Sequence, residues 1–323
     1  MIDLSVPQSP VKRGIIELTG SYYLPTQTNS SPQVNWGMIF QMNGSVLVLP
    51  YSKGKAYQVI PGEDLISLIK NTNQAAYDAE KRVRVLDFSD PDQPKEISDM
   101  LLSDVRGVSR YFMNGRILYT SHFKNTDAGS EYYLSKVDFS DLSAPLQSAS
   151  VNIPAPCIGT DSSGMYAFTV GGCCGNITLS SFRLEADKAE LTDKAEIEGY
   201  YNSNPGTIII SDGFAYLDGS GGIVIADLSN PEKIGLYEYQ IKDGENRSIS
   251  IYSVKNRRIF AYSGSGVIDT QYMVSYDASN LPSLRLDSFF DRTGINIYRF
   301  TSSNDNAYLS LGYYGLWISS ITN

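Results

Sequence analysis

The chain has 323 residues, 42 % of them hydrophobic, and a net charge of −9 from 26 basic and 35 acidic side chains. That hydrophobic share supports a sizeable core and argues against disorder, while the acidic excess argues against a nucleic-acid partner. No run of 18 apolar residues is present, which excludes a membrane-spanning helix, and abundant Gly (27) and Tyr (23) fit tight turns and half-buried strands.

The chain opens in MIDLSVPQSP (Met1 to Pro10), with Asp3 between apolar residues. MIFQMNGSVLVL (Met38–Leu49) then predicts a β-hairpin turning at Asn43-Gly44, because both residues tolerate the positive φ of a type I′ turn. An insertion of about 51–82 follows. Its segment GEDLISLIKNTNQAAYDAEKR predicts one or two short helices, with Glu63-Asp64 suited to a helix N-terminus. VRVLDFSDPDQP (Val83 to Pro94) closes the unit. Further hairpins are predicted at Asn114-Gly115, Asp161–Gly164, Asp212-Gly213, Lys255-Asn256 and Asn304–Asn306. The phrase of apolar strand, Asp, apolar residue, Ser and Pro returns in LSKVDFSDLSAP (Leu134 to Pro145), GIVIADLSNPEK (Gly222 to Lys233) and YMVSYDASNLPS (Tyr272 to Ser283). Glu185 stands in for the Asp in the third full unit, and Ser320 in the closing GLWISSITN. The basic run Lys255–Arg258 reads as a solvated turn.

Each unit thus reads as four antiparallel strands, A to D, and units of 40–50 residues fit blades of a β-propeller. The expected fold class is all-β, a six-bladed propeller in one domain over 1–323, with seven blades as the alternative. The ring would close by Gly14–Leu18 adding an outer strand to the C-terminal blade, which removes two free sheet edges. The repeated Asp and Ser need only a structural role, setting the turn after strand C while Pro stops the strand.

The phrase resembles the LVIVD repeat of bacterial and archaeal surface-associated β-propellers, most closely in Val83–Pro94 and Gly222–Pro231. The third unit departs from it, lacking the Asp and both Pro. The resemblance implies a propeller in an extracytoplasmic setting, whether secreted, periplasmic or at the cell surface. It implies no single activity. The first residues carry no signal peptide, and the chain begins within a repeat, which reads as a mature fragment or excised domain.

In such a ring the B–C and D–A loops share one face, and the departures from the repeat gather there: residues 22–36, the insertion, 121–132, 171–175, 264–271 and 312–315. Loops on a rigid scaffold are where binding usually resides. The candidate ligand-binding residues are Trp36, Tyr51, Tyr57, Arg106, His122, Arg247, Arg292, Tyr313 and Tyr314. The expected partner is a protein or a glycan, met without membrane insertion. Cys157, Cys173 and Cys174 leave three outcomes: Cys157 bridged to either neighbour, a Cys173–Cys174 vicinal bridge, or reduced thiols. One His and no CxxC pair argue against a zinc site. No cofactor is implied, although mixed charge at Asp104, Arg106, Asp243, Glu245, Arg247, Asp291 and Arg292 could hold a channel-mouth cation such as calcium. No GxSxG, sialidase box or phosphate loop occurs. A non-catalytic recognition module is therefore expected. The rivals are a hydrolase or lyase with an acid-rich mouth, and a structural spacer within a longer surface protein.

Overall fold

Each Asp of the repeated phrase folds its own turn. In the computed structural model the Asp carboxylate accepts the backbone N–H two residues on: Asp87 from Ser89 at 2.8 Å, Asp138 from Ser140 at 2.7 Å, Asp227 from Ser229 at 2.9 Å and Asp277 from Ser279 at 2.9 Å. The hydroxyls of Ser140 and Ser279, then their backbone N–H groups, hold the Asp138 and Asp277 carboxyls below the usual range, and at Asp87 the Ser89 backbone N–H leads, followed by its hydroxyl. The following apolar residue ties the turn to the A–B hairpin, since Phe88, Phe139, Leu228 and Ala278 donate to the carbonyls of Ser45, Arg116, Gly213 and Arg257.

The described residues are 2–3, 11–17, 40–54, 60–173, 176–199, 204, 207–219, 222–240, 248–264, 271–291, 299–302, 306–310 and 316–320. They form two compact units, 1–156 with 186–188, and 157–185 with 189–323. In the first unit, β1 (Ile2–Asp3) pairs with β2 (Val11–Lys12). Sheet I holds β3 (Phe40–Met42), β4 (Val46–Lys53), β5 (Glu80–Asp87) and β6 (Lys95–Leu101), with α1 (Leu65–Asp78) between β4 and β5. Sheet II holds β7 (Gly107–Asn114), β8 (Ile117–Thr126) and β9 (Gly129–Asp138). Its fourth position is filled by two pieces, β10 (Leu146–Gln147) and β11 (Val151–Ile153).

In the second unit, sheet III holds β12 (Cys157–Thr160), β13 (Tyr166–Cys173), β14 (Asn176–Leu184) and β15 (Ala189–Glu198). Sheet IV holds β16 (Ile209–Ser211), β17 (Phe214–Gly219), β18 (Gly222–Asp227) and β19 (Gly235–Gln240). Sheet V holds β20 (Ser248–Lys255), β21 (Arg258–Gly264), β22 (Gln271–Asp277) and β23 (Arg285–Asp291). Sheet VI shows three strands among the described residues, β24 (Arg299–Ser302), β25 (Asn306–Ser310) and β26 (Leu316–Ser320). Five sheets with four antiparallel strand positions each make a β-propeller-like, all-β structure.

The turn fixes the register. Asp3 pairs with Val11, Asp87 with Lys95, Asp138 with Leu146, Asp227 with Gly235 and Asp277 with Arg285, eight residues apart each time. That register corrects the expected outer strand at Gly14–Leu18. The return strand forms at Val11–Lys12, eight residues after Asp3, and residues 14–17 carry no strand, Leu18 lying outside the described residues. It also corrects the third unit. Leu184 donates to the Met165 carbonyl and Tyr166 pairs with Arg183, so Arg183, rather than Glu185, stands at the Asp position. The turn there is tighter, with Leu184 opposite Ala189. Ser320 does hold the Asp place, opposite Asn306 at the start of β25.

Outer strands also bind the next phrase. Ser98 donates to the Leu142 carbonyl at 2.7 Å, Thr192 to Pro231 at 3.1 Å and Tyr239 to Pro282 at 2.9 Å. The N-terminal segment does the same for the phrase of sheet I. The Gly14 N–H donates to the Pro91 carbonyl at 2.8 Å, and Arg13 clamps Asp92 through two bonds of 2.6 Å.

The apolar core lies between sheet faces because side chains alternate along each strand. Val46, Val48, Val83 and Val85 of sheet I meet Tyr111, Leu118, Val137 and Phe139 of sheet II. In the other unit Phe168, Val170, Ile177 and Leu179 of sheet III meet Ala215, Leu217, Val224 and Ala226 of sheet IV. The opposite face of sheet IV packs on sheet V through Phe214, Tyr216, Ile223 and Ile225.

Candidate functional site

The insertion is shorter than expected. β4 runs to Lys53 and β5 starts at Glu80, so Tyr51 and Arg82 are paired strand residues, and among the described residues between them one helix of 14 residues forms. Asp64 starts α1, as the sequence suggested. Its carboxylate accepts the N–H groups of Ile66 and Ser67 at 3.0 Å each and the Ser67 hydroxyl at 2.7 Å. Glu63 adds a bond from Asn71 at 2.7 Å.

Lys81 fastens the other end. Its Nζ donates to the carbonyls of Ala76 at 2.8 Å, Tyr77 at 3.2 Å and Ala79 at 2.5 Å, supplying positive charge to the helix C-terminus. The side chain is 1 % exposed. Burial, then the nearby Arg106, pushes Lys81 down to about 8, and Asp78 opposes them. Tyr77 docks α1 on sheet II. Its hydroxyl accepts the Asn125 N–H at 3.0 Å and its ring lies 5.9 Å from that of Phe123. Phe123 in turn lies flat against Gly107, where any Cβ would strike the ring.

With both ends held, the helix turns large apolar side chains outward. Ile66 is 80 % exposed, Leu65 68 %, Ile60 59 % and Ile69 51 %. No residue of α1 is fully buried. Four aliphatic side chains at one helix end make the clearest exposed apolar patch of the insertion.

His122 is not a loop residue. β8 runs through it to Thr126 and β9 begins at Gly129, so the expected 121–132 loop is a long hairpin with a two-residue tip. The ring is fully buried, stacked on Tyr133 at 5.6 Å. Nε2 lies 2.9 Å from the Ser135 hydroxyl and 3.4 Å from that of Ser150, and the two hydroxyls are 2.8 Å apart. Burial, then the Lys124 charge, pulls His122 down to about 4 while Asp104 opposes. The imidazole is therefore neutral at pH 7, and none of its ring is open to bulk solvent.

Tyr51 is also withdrawn from the surface. It is 2 % exposed, its hydroxyl donates to Asp99 at 2.7 Å, and the Arg84 guanidinium sits 4.4 Å over its ring. Burial and the Asp99 carboxylate push the phenol up to about 12. Arg82 and Arg84 complete the cluster at 3.0 and 3.5 Å from Asp99, with Glu96 3.2 Å from Arg84. Arg106 is exposed in the β6–β7 loop, as expected. Asp104 pairs there with Lys124, whose Nζ also lies 4.9 Å from the Tyr133 ring centroid. Trp36, Tyr57, Arg247, Arg292, Tyr313 and Tyr314 lie outside the described residues, as do Asp243 and Glu245. Among the described residues no group of three or more His, Cys, Asp or Glu side chains could hold a metal ion. No helix among them is long and apolar enough to cross a membrane.

Cys157 is buried and donates through Sγ to the Gly159 carbonyl at 3.3 Å. Thr169 stands opposite it, and Cys173 lies four residues farther along β13, opposite Asn176. Four strand residues span about 13 Å, against a limit of about 7 Å between bridged Cα atoms, so the Cys157–Cys173 pairing is ruled out. Cys174 lies outside the described residues. The expected 171–175 loop is likewise mostly strand.

No protein-family model matches the chain, and no curated protein matches it. Solved structures do resemble its fold. The acylaminoacyl peptidase of Pyrococcus horikoshii is 11 % identical with a TM-score of 0.51, over 88 % of this chain and 45 % of that one. Acylaminoacyl peptidase in complex with Z-Gly-Gly-Phe-chloromethyl ketone is 10 % identical with a TM-score of 0.52, over 88 % and 46 %. The chain thus spans less than half the length of these structures. At such identity the likeness concerns fold alone, and the chain has a β-propeller-like fold.

Proposed function

We propose that the protein is a non-catalytic, extracytoplasmic binding or assembly module, and that it captures a protein partner through the insertion. The exposed aliphatic end of α1 carries this reading: Leu65, Ile66 and Ile69, with Ile60 beside them, are held outward by a helix pinned at both ends. Burying one such side chain favours a complex by about 1.5–3 kcal/mol. Aliphatic carbons suit an apolar protein groove better than a glycan, which stacks on aromatic rings. The candidate contacts at Trp36, Tyr57, Arg106, Arg247, Arg292, Tyr313 and Tyr314 belong to the same proposed face. So does the reading of one six-bladed ring over 1–323, its last sheet completed by the N-terminal segment, and its kinship with LVIVD-repeat surface propellers. The clamp of Arg13 and Gly14 on the sheet I turn repeats the outer-strand contact of other sheets.

The test is the triple variant Leu65→Ser, Ile66→Asp, Ile69→Ser in pull-down and glycan-array assays. Loss of protein capture with an unchanged circular dichroism spectrum is expected. Unchanged capture, or binding confined to glycans, overturns the reading. The alternative, a hydrolase or lyase with an acid-rich site at the channel mouth, would be favoured by turnover of a chromogenic glycoside or ester that disappears in Asp104→Asn.

A further inference from the structure

Sheets I and II meet through a seam that is apolar at one end and polar at the other. Val46 and Val48 line the apolar end from β4, and Ser52 continues the same alternating face. Across the seam, Leu118, Thr120 and His122 share one face of β8, and Tyr111 of β7 stands opposite Thr120. Four side-chain atoms at the polar end are buried without a hydrogen-bond partner among the described residues: Ser52 Oγ, Tyr111 OH, Thr120 Oγ1 and His122 Nδ1. Their residues are 4 %, 6 %, 0 % and 0 % exposed. Leaving one such group unsatisfied is costly, and four on facing sheet faces are better explained by a guest that they bind than by four separate penalties.

The charges nearby limit the guest's chemistry. The Lys81 ammonium is occupied by three carbonyls, and Lys124 is paired with Asp104. Glu131 on β9 accepts the Tyr133 hydroxyl at 2.7 Å. His122 itself is held neutral by burial. A charged guest would therefore sit desolvated without a counter-ion. A hydroxyl group suits the atoms present, since three are hydroxyls that both donate and accept, and Nδ1 does either according to tautomer. We infer that the seam between sheets I and II binds a small uncharged hydroxyl guest through Tyr111, Thr120 and His122 Nδ1, with Ser52 on the facing wall. Ordered water and a small polyol share this chemistry.

The chain's single histidine makes the test direct. In the full chain labelled with ¹⁵N-histidine, the ring nitrogens report hydrogen bonding separately. Nδ1 is expected to show a hydrogen-bonded shift that moves in Thr120→Val and in Tyr111→Phe, while Nε2, held by Ser135 and Ser150, stays in place. A ring cross-peak to water identifies bound solvent. A saturable shift on titration with glycerol identifies a polyol. If Tyr111→Phe does not fold, Thr120→Val and the wild-type cross-peaks carry the test. A non-hydrogen-bonded Nδ1 with no cross-peak to either hydroxyl source overturns the inference, as does a Nδ1 shift identical in wild type and folded Thr120→Val.

Discussion

The seam between sheets III and IV and the seam between sheets I and II are built from the same repeat, yet they differ in kind. The first is lined by buried Ile, Val, Leu, Phe and Ala, with the buried Ser181 at one end of the β14 face. The second begins with Val46, Val48, Val83 and Val85 and then passes into Ser52, Lys81, Thr120 and His122, all buried. The contrast separates two ways of joining sheets. Dispersion and apolar burial suffice in one, while the other depends on bonds that have definite partners and a definite protonation state. Sheet II is also where α1 docks, so its polar end supports the part of the molecule that departs from the repeat.

The largest expected effect lies in the dry seam. Phe168→Ala removes a fully buried ring from between sheets III and IV and should cost about 3–5 kcal/mol, read as a lowered urea midpoint at constant slope. A loss below about 1 kcal/mol would mean that this seam is loosely packed.

Acid should act mainly on the polar seam. The folded His122 pKa lies near 4, below the 6.5 of an exposed imidazole, so between those values the unfolded chain binds a proton that the folded chain does not. Its contribution is fully present above pH 6.5 and declines as pH falls to about 4, by about 2–3 kcal/mol. Urea titrations at pH 7, 5.5 and 4 on wild type and His122→Gln measure it, and equal slopes with pH would remove the protonation argument.

Lys81→Met should cost about 2 kcal/mol, because three carbonyls at the end of α1 lose a charged donor. The loss should appear as faster hydrogen exchange over 65–79 before any change in sheets III to V. Uniform acceleration across the chain would show that Lys81 supports the whole fold instead. The smallest effect is expected for Asp227→Ala, which removes the acceptor for Ser229 N–H at 2.9 Å and Ser229 Oγ at 2.6 Å on an open turn. A small drop in melting midpoint is expected, and a drop as large as that of Phe168→Ala would give the turn a share in the seam.

The same contrast governs what could be read from sequence. The dry seam was legible, because alternating aliphatic residues and a turn such as Asp212-Gly213 announce strands and a tight hairpin, and both turn residues have positive φ as that turn requires. The polar seam was not. Ser121–Tyr132 looks like a loop by composition, yet Thr120 and His122 lie on a buried face because a second sheet covers them, and local pattern carries no sign of that cover. Arg183 was missed for a related reason. Its place follows from the Leu184–Met165 backbone bond, while residue type pointed to the nearby Glu185. Asp64 as the start of α1 was legible because a cap is a local bond, whereas its counterpart Lys81 lies beyond the helix and acts through tertiary burial. Tyr51 was read as a surface aromatic, and the carboxylate of Asp99, 48 residues away, withdraws it.

The constant eight-residue pairing within the phrase has a consequence for descent. Side chains in a strand alternate faces, so a join between two copies preserves the inside and outside of both strands only if the loop keeps its length. A crossover inside the phrase meets that condition wherever it falls. Gene segments cut there can be duplicated, lost or exchanged with every hydrophobic face still turned inward. The turn is thereby a place where copies can be joined without reversing either strand's faces, and the tighter loop after Arg183 does not share that length.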